Sequence, residues 1–95
     1  MKIKHWQGYG CVNAKKIESC NGHLKIRVWG NHEWGLKRDD EYDVFNWLVK
    51  RFSRKYKDYR DISKIIIDER YEKIDGILTE VCDYDIWFDK GRFLI

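Results

Sequence analysis

The sequence predicts an α+β fold in ββαββ order, with one long amphipathic helix packed on one face of a mostly antiparallel sheet. Three observations carry that expectation. An Asn-Gly pair at 21–22 separates two strand-like runs, a helical stripe extends from Asp40 to about Tyr59, and two further strand-like runs flank Asp75-Gly76. A two-layer arrangement of this kind lets the apolar stripe of the helix and one face of the sheet bury each other. The 95 residues, 43% hydrophobic and 37% charged, contain no proline. They form one domain over 1–95, because a chain of this size has surface enough for one core.

In the first hairpin, Asn21 and Gly22 suit a two-residue type I′ turn, whose central positions both require positive φ. The turn sets a register in which Glu18 faces Lys25, Ile17 faces Ile26, Lys16 faces Arg27 and Cys11 faces His32. One face then carries Ile17, Leu24, Ile26 and Val28, and the other carries Lys16, Lys25, Arg27 and Trp29. In the helix, Tyr42, Phe45, Leu48, Val49, Phe52, Tyr56 and Tyr59 fall on one side at about 100° per residue. Asp39 or Asp40 supplies the N-cap, acids occupy the first turn, and Lys50, Arg51, Arg54, Lys55 and Lys57 follow in the sense the macrodipole favours. Beyond it, Ile65-Ile66-Ile67 begins a strand. Leu78, Cys82, Tyr84, Ile86 and Phe88 alternate with Thr79, Val81, Asp83, Asp85 and Trp87 in another.

The charge balance narrows the function classes. Nineteen basic and 16 acidic residues give a net charge of +3, too weak a field for a ribosomal-type nucleic-acid binder and the wrong sign for an acidic DNA mimic. No apolar stretch reaches the roughly 20 residues of a membrane span, and the start MKIKHWQGYG has no apolar core of a signal peptide. A cytoplasmic location is therefore expected, with no membrane partner. The three cysteines are expected as thiols, because an odd number without an export signal does not suggest a disulfide scaffold.

Three constellations are candidates for function. Trp47 lies nearly opposite the centre of the helical stripe, beside Lys50, Arg51 and Arg54. Together with Trp34 these residues form a candidate partner-binding site, since Trp and Arg are enriched among interface anchors. The bland reading has the loop from Gly30 to Arg38 cover Trp47, or Arg51 stack on its ring. The second constellation places Trp6, Lys16, Lys25, Arg27 and Trp29 on the outer face of the first hairpin. Interleaved cations and rings are how single-stranded nucleic acid is held, although an ordinary solvated sheet face has the same composition, and a bulge at Gly8 or Gly10 would reverse the parity of the preceding residues.

The third constellation comprises Cys11, Cys20, Cys82, His5, His23 and His32, of types that bind zinc. Cys20 and His23 close one end of the hairpin while Cys11 and His32 stand roughly 30 Å away, so Cys11 and His32 are weak metal candidates and no cofactor is expected. Nothing supplies an oxyanion site for a Cys11–His32 nucleophile pair, and Gly8-Tyr9-Gly10 is not a dinucleotide fingerprint. No catalytic residue, and no enzyme, is expected.

The segments His5-Trp6-Gln7-Gly8-Tyr9-Gly10, Gly30-Asn31-His32-Glu33-Trp34-Gly35 and Tyr42-Asp43-Val44-Phe45-Asn46-Trp47-Leu48 resemble those of small proteins carried by prophages and mobile elements of Gram-positive bacteria. The likeness covers most of the chain and carries over no binding residue. It implies an accessory protein in the cytoplasm of a bacterial host cell that binds and inhibits a host defence protein, as anti-CRISPR proteins do, with a CRISPR effector nuclease as one such partner. The alternative is a small nucleic-acid-binding module.

Overall fold

The computed structural model describes residues 1–6, 10–20 and 22–89. Five strands, β1 (Lys2–Ile3), β2 (Val12–Cys20), β3 (His23–Trp29), β4 (Ile62–Ile74) and β5 (Ile77–Phe88), form one sheet in the order β1-β2-β3-β5-β4, antiparallel at every step. Apart from a short 3₁₀ turn, helix among the described residues is a 12-residue segment. It is α-helical over Glu41–Val44, π-helical over Phe45–Val49 and α-helical again over Lys50–Phe52. The expected ββαββ arrangement with a long helix is thus corrected to a five-stranded antiparallel sheet crossed by one short helical segment.

The helix begins as its sequence indicates. Asp40 Oδ1 accepts hydrogen bonds from the amides of Tyr42 (2.8 Å) and Asp43 (3.2 Å), filling donors that a first turn leaves orphaned. It stops early because Ser53 turns extended, at φ −129° and ψ 137°. Two tyrosines of the expected stripe are used differently beyond that point. Tyr56 stacks on Phe88 with ring centroids 3.7 Å apart. Tyr59 sits in a short 3₁₀ turn and meets Tyr42 edge-on at 5.2 Å. Tyr56 is thereby buried against β5.

The middle of the segment is a π turn. Such a turn holds one residue more than an α turn, so residues after it lag the ideal wheel by about 100°. Val44, Phe45, Leu48 and Val49 make the buried face, Phe52 and Trp47 are partly buried against the core, and Tyr42, ahead of the π turn, is 55% exposed.

A bulge has the same effect on the first hairpin. The expected pairs Cys20–His23 and Glu18–Lys25 form, but the register slips between Lys16 and Glu18, so Lys16 stands opposite Ile26 and Lys15 opposite Arg27. Ile17, expected in the core, is left out of the ladder and exposed, as happens to the extra residue of a bulge.

The core lies between one face of the sheet and the layer formed by the helix and the segment from Asn31 to Asp40. Leu24, Ile26, Val28, Cys82, Tyr84 and Ile86 project from the strands, and Leu36, Trp6 and the helical face meet them. Each large apolar side chain buried there contributes about 1.5–3 kcal/mol before chain entropy is subtracted. Tyr84 fastens the covering segment, since its hydroxyl donates to the Leu36 carbonyl and accepts from the Arg38 amide at 2.8 Å. Burial pushes the Tyr84 hydroxyl far above the usual phenol range, so it remains a donor at any physiological pH. Among the described residues no helix is long and apolar enough to cross a membrane.

Candidate functional site

The face of the sheet turned away from the helix carries His23, Lys25, Arg27 and Trp29 from β3. The register sets them against Trp87, Asp85, Asp83 and Val81 of β5. Arg27 grips Asp83 with two bonds, Nε to Oδ1 at 2.8 Å and Nη2 to Oδ2 at 3.0 Å. Arg70 of β4 reaches the same carboxylate at 3.0 Å and also bonds Asp68 and Glu72. Burial of Asp83 works to raise its carboxyl, but the two guanidinium groups outweigh it and hold it below the usual carboxylate range. Flanking this lattice, Lys15 lies over Trp29 with its ammonium 6.0 Å from the ring centre, and Lys64 lies over Trp87 at 5.1 Å.

This geometry relocates the residues expected to bind nucleic acid. Lys25, Arg27 and Trp29 do share the outer face, yet cross-strand acids compensate the cations there, and Lys15 takes the place expected for Lys16. Trp6 is fully buried on the opposite side. β1 is two residues long, and His5 adopts φ 57°, so strand alternation ends before Trp6 and the chain turns the indole under the sheet. Residues 7–9, where the parity-reversing bulge was expected around Gly8, lie outside the described residues; Gly10 is in a turn, and its carbonyl accepts the Trp6 amide at 2.9 Å.

The expected partner-binding group is also divided. Trp47 packs on Trp6 at 5.5 Å between centroids, with the guanidinium carbons of Arg51 and Arg38 at 5.5 and 5.9 Å from its ring. Arg51 in addition donates to the carbonyls of Asn46 and Trp47, at 2.7 and 2.9 Å, and so caps the end of the helix. The bland reading of Trp47 describes this environment. Lys50 and Arg54 instead line a shallow concavity of about 380 Å³ with Phe45, Ser53 and Lys57. Trp34 remains 59% exposed.

Further exposed apolar side chains lie on the strands to which the Trp34 segment is bonded. β4 and β5 continue past the end of β3 as a hairpin closed by Asp75 and Gly76, both at positive φ (52° and 79°), and the molecule is 50 Å long against 24 and 20 Å in the other directions. Tyr71 (66% exposed) and Leu78 (59%) lie on the inner face of this extension, and Ile77 (63%) lies at its tip. The segment bearing Trp34 is tied to the same strand. Asn31 bonds the Leu78 carbonyl and the Glu80 amide, each at 3.2 Å, and the Leu36 amide donates to Glu80 Oε1 at 3.2 Å. The signal for this patch was present in the sequence. Ile77 and Leu78 are consecutive, and successive side chains of a strand point to opposite faces, so both cannot be buried by one helix layer.

The cysteines and histidines are dispersed as their positions in the ladder dictate. Cys11 is exposed, and His32 Nδ1 accepts the Trp34 amide at 3.1 Å, with the ring against Gly10. Among the described residues, the ligand-type side chains that converge are Glu18, Cys20 and His23 rather than Cys11 and His32. Cys82 is buried, and desolvation pushes its thiol up to about 12, which removes it as a nucleophile. No family model, no curated protein and no solved structure matches this chain.

Proposed function

We propose that this chain acts as a protein-binding module that occupies a partner's surface rather than catalysing a reaction. The observation that supports this reading is the exposure of Tyr71 and Leu78 on one face of a long hairpin, with Ile77 exposed at its tip and Trp34 exposed on the segment bonded to the same strand. Exposed aromatic and aliphatic side chains grouped on an ordered scaffold are what interfaces use as anchors, because such side chains gain buried area with little loss of chain entropy. The resemblance to mobile-element proteins makes a host defence protein the expected partner and inhibition the expected outcome. Binding to nucleic acid is the weaker reading, because Arg27 and Arg70 are engaged with Asp83 and have little charge left for phosphates.

The test is affinity purification of the tagged chain from its host, with and without nuclease, beside a Tyr71→Ser/Leu78→Ser variant. A partner that survives nuclease and is lost with the variant, while the variant's melting temperature stays within a few degrees, is the expected result. Nuclease-sensitive capture, or binding indifferent to the variant, would count against it.

A further inference from the structure

We propose that Glu18, Cys20 and His23 form a three-ligand site for a transition-metal ion, Zn²⁺ foremost, at the closed end of the β2–β3 hairpin. The site is independent of the protein-binding patch, which lies at the other end of the sheet. Its origin is the hairpin register. Cys20 and His23 are the pair that closes the turn, and Glu18 precedes Cys20 by two residues, so all three side chains project from the outer face.

One ligand atom from each residue lies within 4.8 Å of the other two, and Cys20 Sγ stands 4.0 Å from His23 Nδ1. Tetrahedral zinc with bonds of about 2.3 Å to sulfur and 2.0–2.1 Å to nitrogen or oxygen needs ligand atoms roughly 3.3–3.6 Å apart. Small rotations of two exposed side chains, Glu18 and Cys20, cover that difference.

The histidine is already held as a metal ligand is held. Its Nε2 lies 2.9 Å from Asp85 Oδ1. A carboxylate is an acceptor, so the neutral ring places its hydrogen on Nε2 and leaves the lone pair of Nδ1 directed toward Cys20. This carboxylate–imidazole arrangement orients metal-binding histidines and raises their basicity. Trp87 stacks on the ring at 4.6 Å and 21°, fixing its plane from the neighbouring strand. A thiolate, an imidazole and a carboxylate together select Zn²⁺ or a similar borderline ion over Mg²⁺ or Ca²⁺, which take oxygen ligands. Three protein ligands leave a fourth position for water or for a donor brought by a partner.

Cobalt titration of the full chain, purified through chelator, tests the proposal. The Cys11→Ser protein is expected to develop a thiolate-to-cobalt charge-transfer band with the strong visible bands of a tetrahedral centre, and Zn²⁺ is expected to bleach both. Cys20→Ser and, separately, His23→Gln are expected to abolish the bands with the circular dichroism spectrum unchanged. Asp85→Asn is expected to weaken metal affinity about 10–100-fold, the usual consequence of losing a partner that orients a ligating histidine. Absence of a charge-transfer band at millimolar Co²⁺ would overturn the proposal, as would a band that persists in Cys20→Ser or one that disappears with Cys11→Ser.

Discussion

The two turns at opposite ends of the sheet have nearly the same local chemistry and opposite surroundings. Gly22 and Asp75-Gly76 lie where two antiparallel strands are joined, and both glycines have positive φ, 86° and 79°; Asn21, the other residue of the expected first turn, lies outside the described residues. At the first turn Gly22 is buried and its carbonyl accepts the Phe88 amide at 3.0 Å, while Asp85 and Trp87 clasp His23. At the second, a Cβ built on Gly76 would have nothing within 4 Å, and Ile77 and Leu78 face solvent. The comparison teaches that turn residues specify a backbone path, whereas the strands packed beside the turn decide whether its end becomes an ordered polar site or a free apolar edge.

The largest difference between the ends should appear on truncating a side chain at each. Phe88→Ala removes a ring that is 6% exposed and stacked on Tyr56, and is expected to cost about 3–5 kcal/mol. Leu78→Ala at the free end is expected to change stability by less than about 0.5 kcal/mol. Urea unfolding measures both, and equal losses would erase the distinction.

Between the two ends, Asp83 is the shared acceptor of Arg27 and Arg70, and Asp83→Asn is expected to cost about 1–3 kcal/mol at neutral pH. The sign of the pH dependence follows from its depressed folded-state pKa. The stabilisation is fully present above the unfolded value of about 3.9 and is lost as pH falls through the lower folded value. Asp83→Asn should therefore flatten the acid limb of a stability–pH curve, and a curve parallel to wild type would show that the carboxylate contributes nothing there.

The smallest effect separates the glycines. Gly76→Ala is expected to cost about 1 kcal/mol, the strain of a left-handed backbone with a Cβ. Gly22→Ala carries the same strain and, being buried, is expected to lose more by thermal melting; equal shifts would mean that the buried turn yields as readily as the exposed one.

Local signals in the sequence were informative where the physics is local. Asp40 caps the helix, the Cys20–His23 and Glu18–Lys25 pairs follow from the first turn, and Asp75-Gly76 joins two strands, because each depends on residues within a few positions. The helical wheel put Phe45, Leu48, Val49 and Phe52 on the inner side, as they are, but it carried the helix past Ser53, where the backbone turns extended, and it placed Tyr42 inside. Trp47 is partly buried because Trp6, distant in sequence, packs against it. The bulge at Ile17 likewise exchanged Lys15 for Lys16.

The sequence by itself determined the turns, the cap and the alternating faces of the strands, since these follow from φ preferences and a period of two. Only the tertiary structure decided that β5 lies between β3 and β4. That placement sets Asp83 against Arg27, 56 residues apart, and Asp85 against His23, 62 residues apart. A strand's periodicity says which side chains share a face and is silent on which strand will lie beside it, so both the neutralised outer face and the clasped histidine arise from strand order.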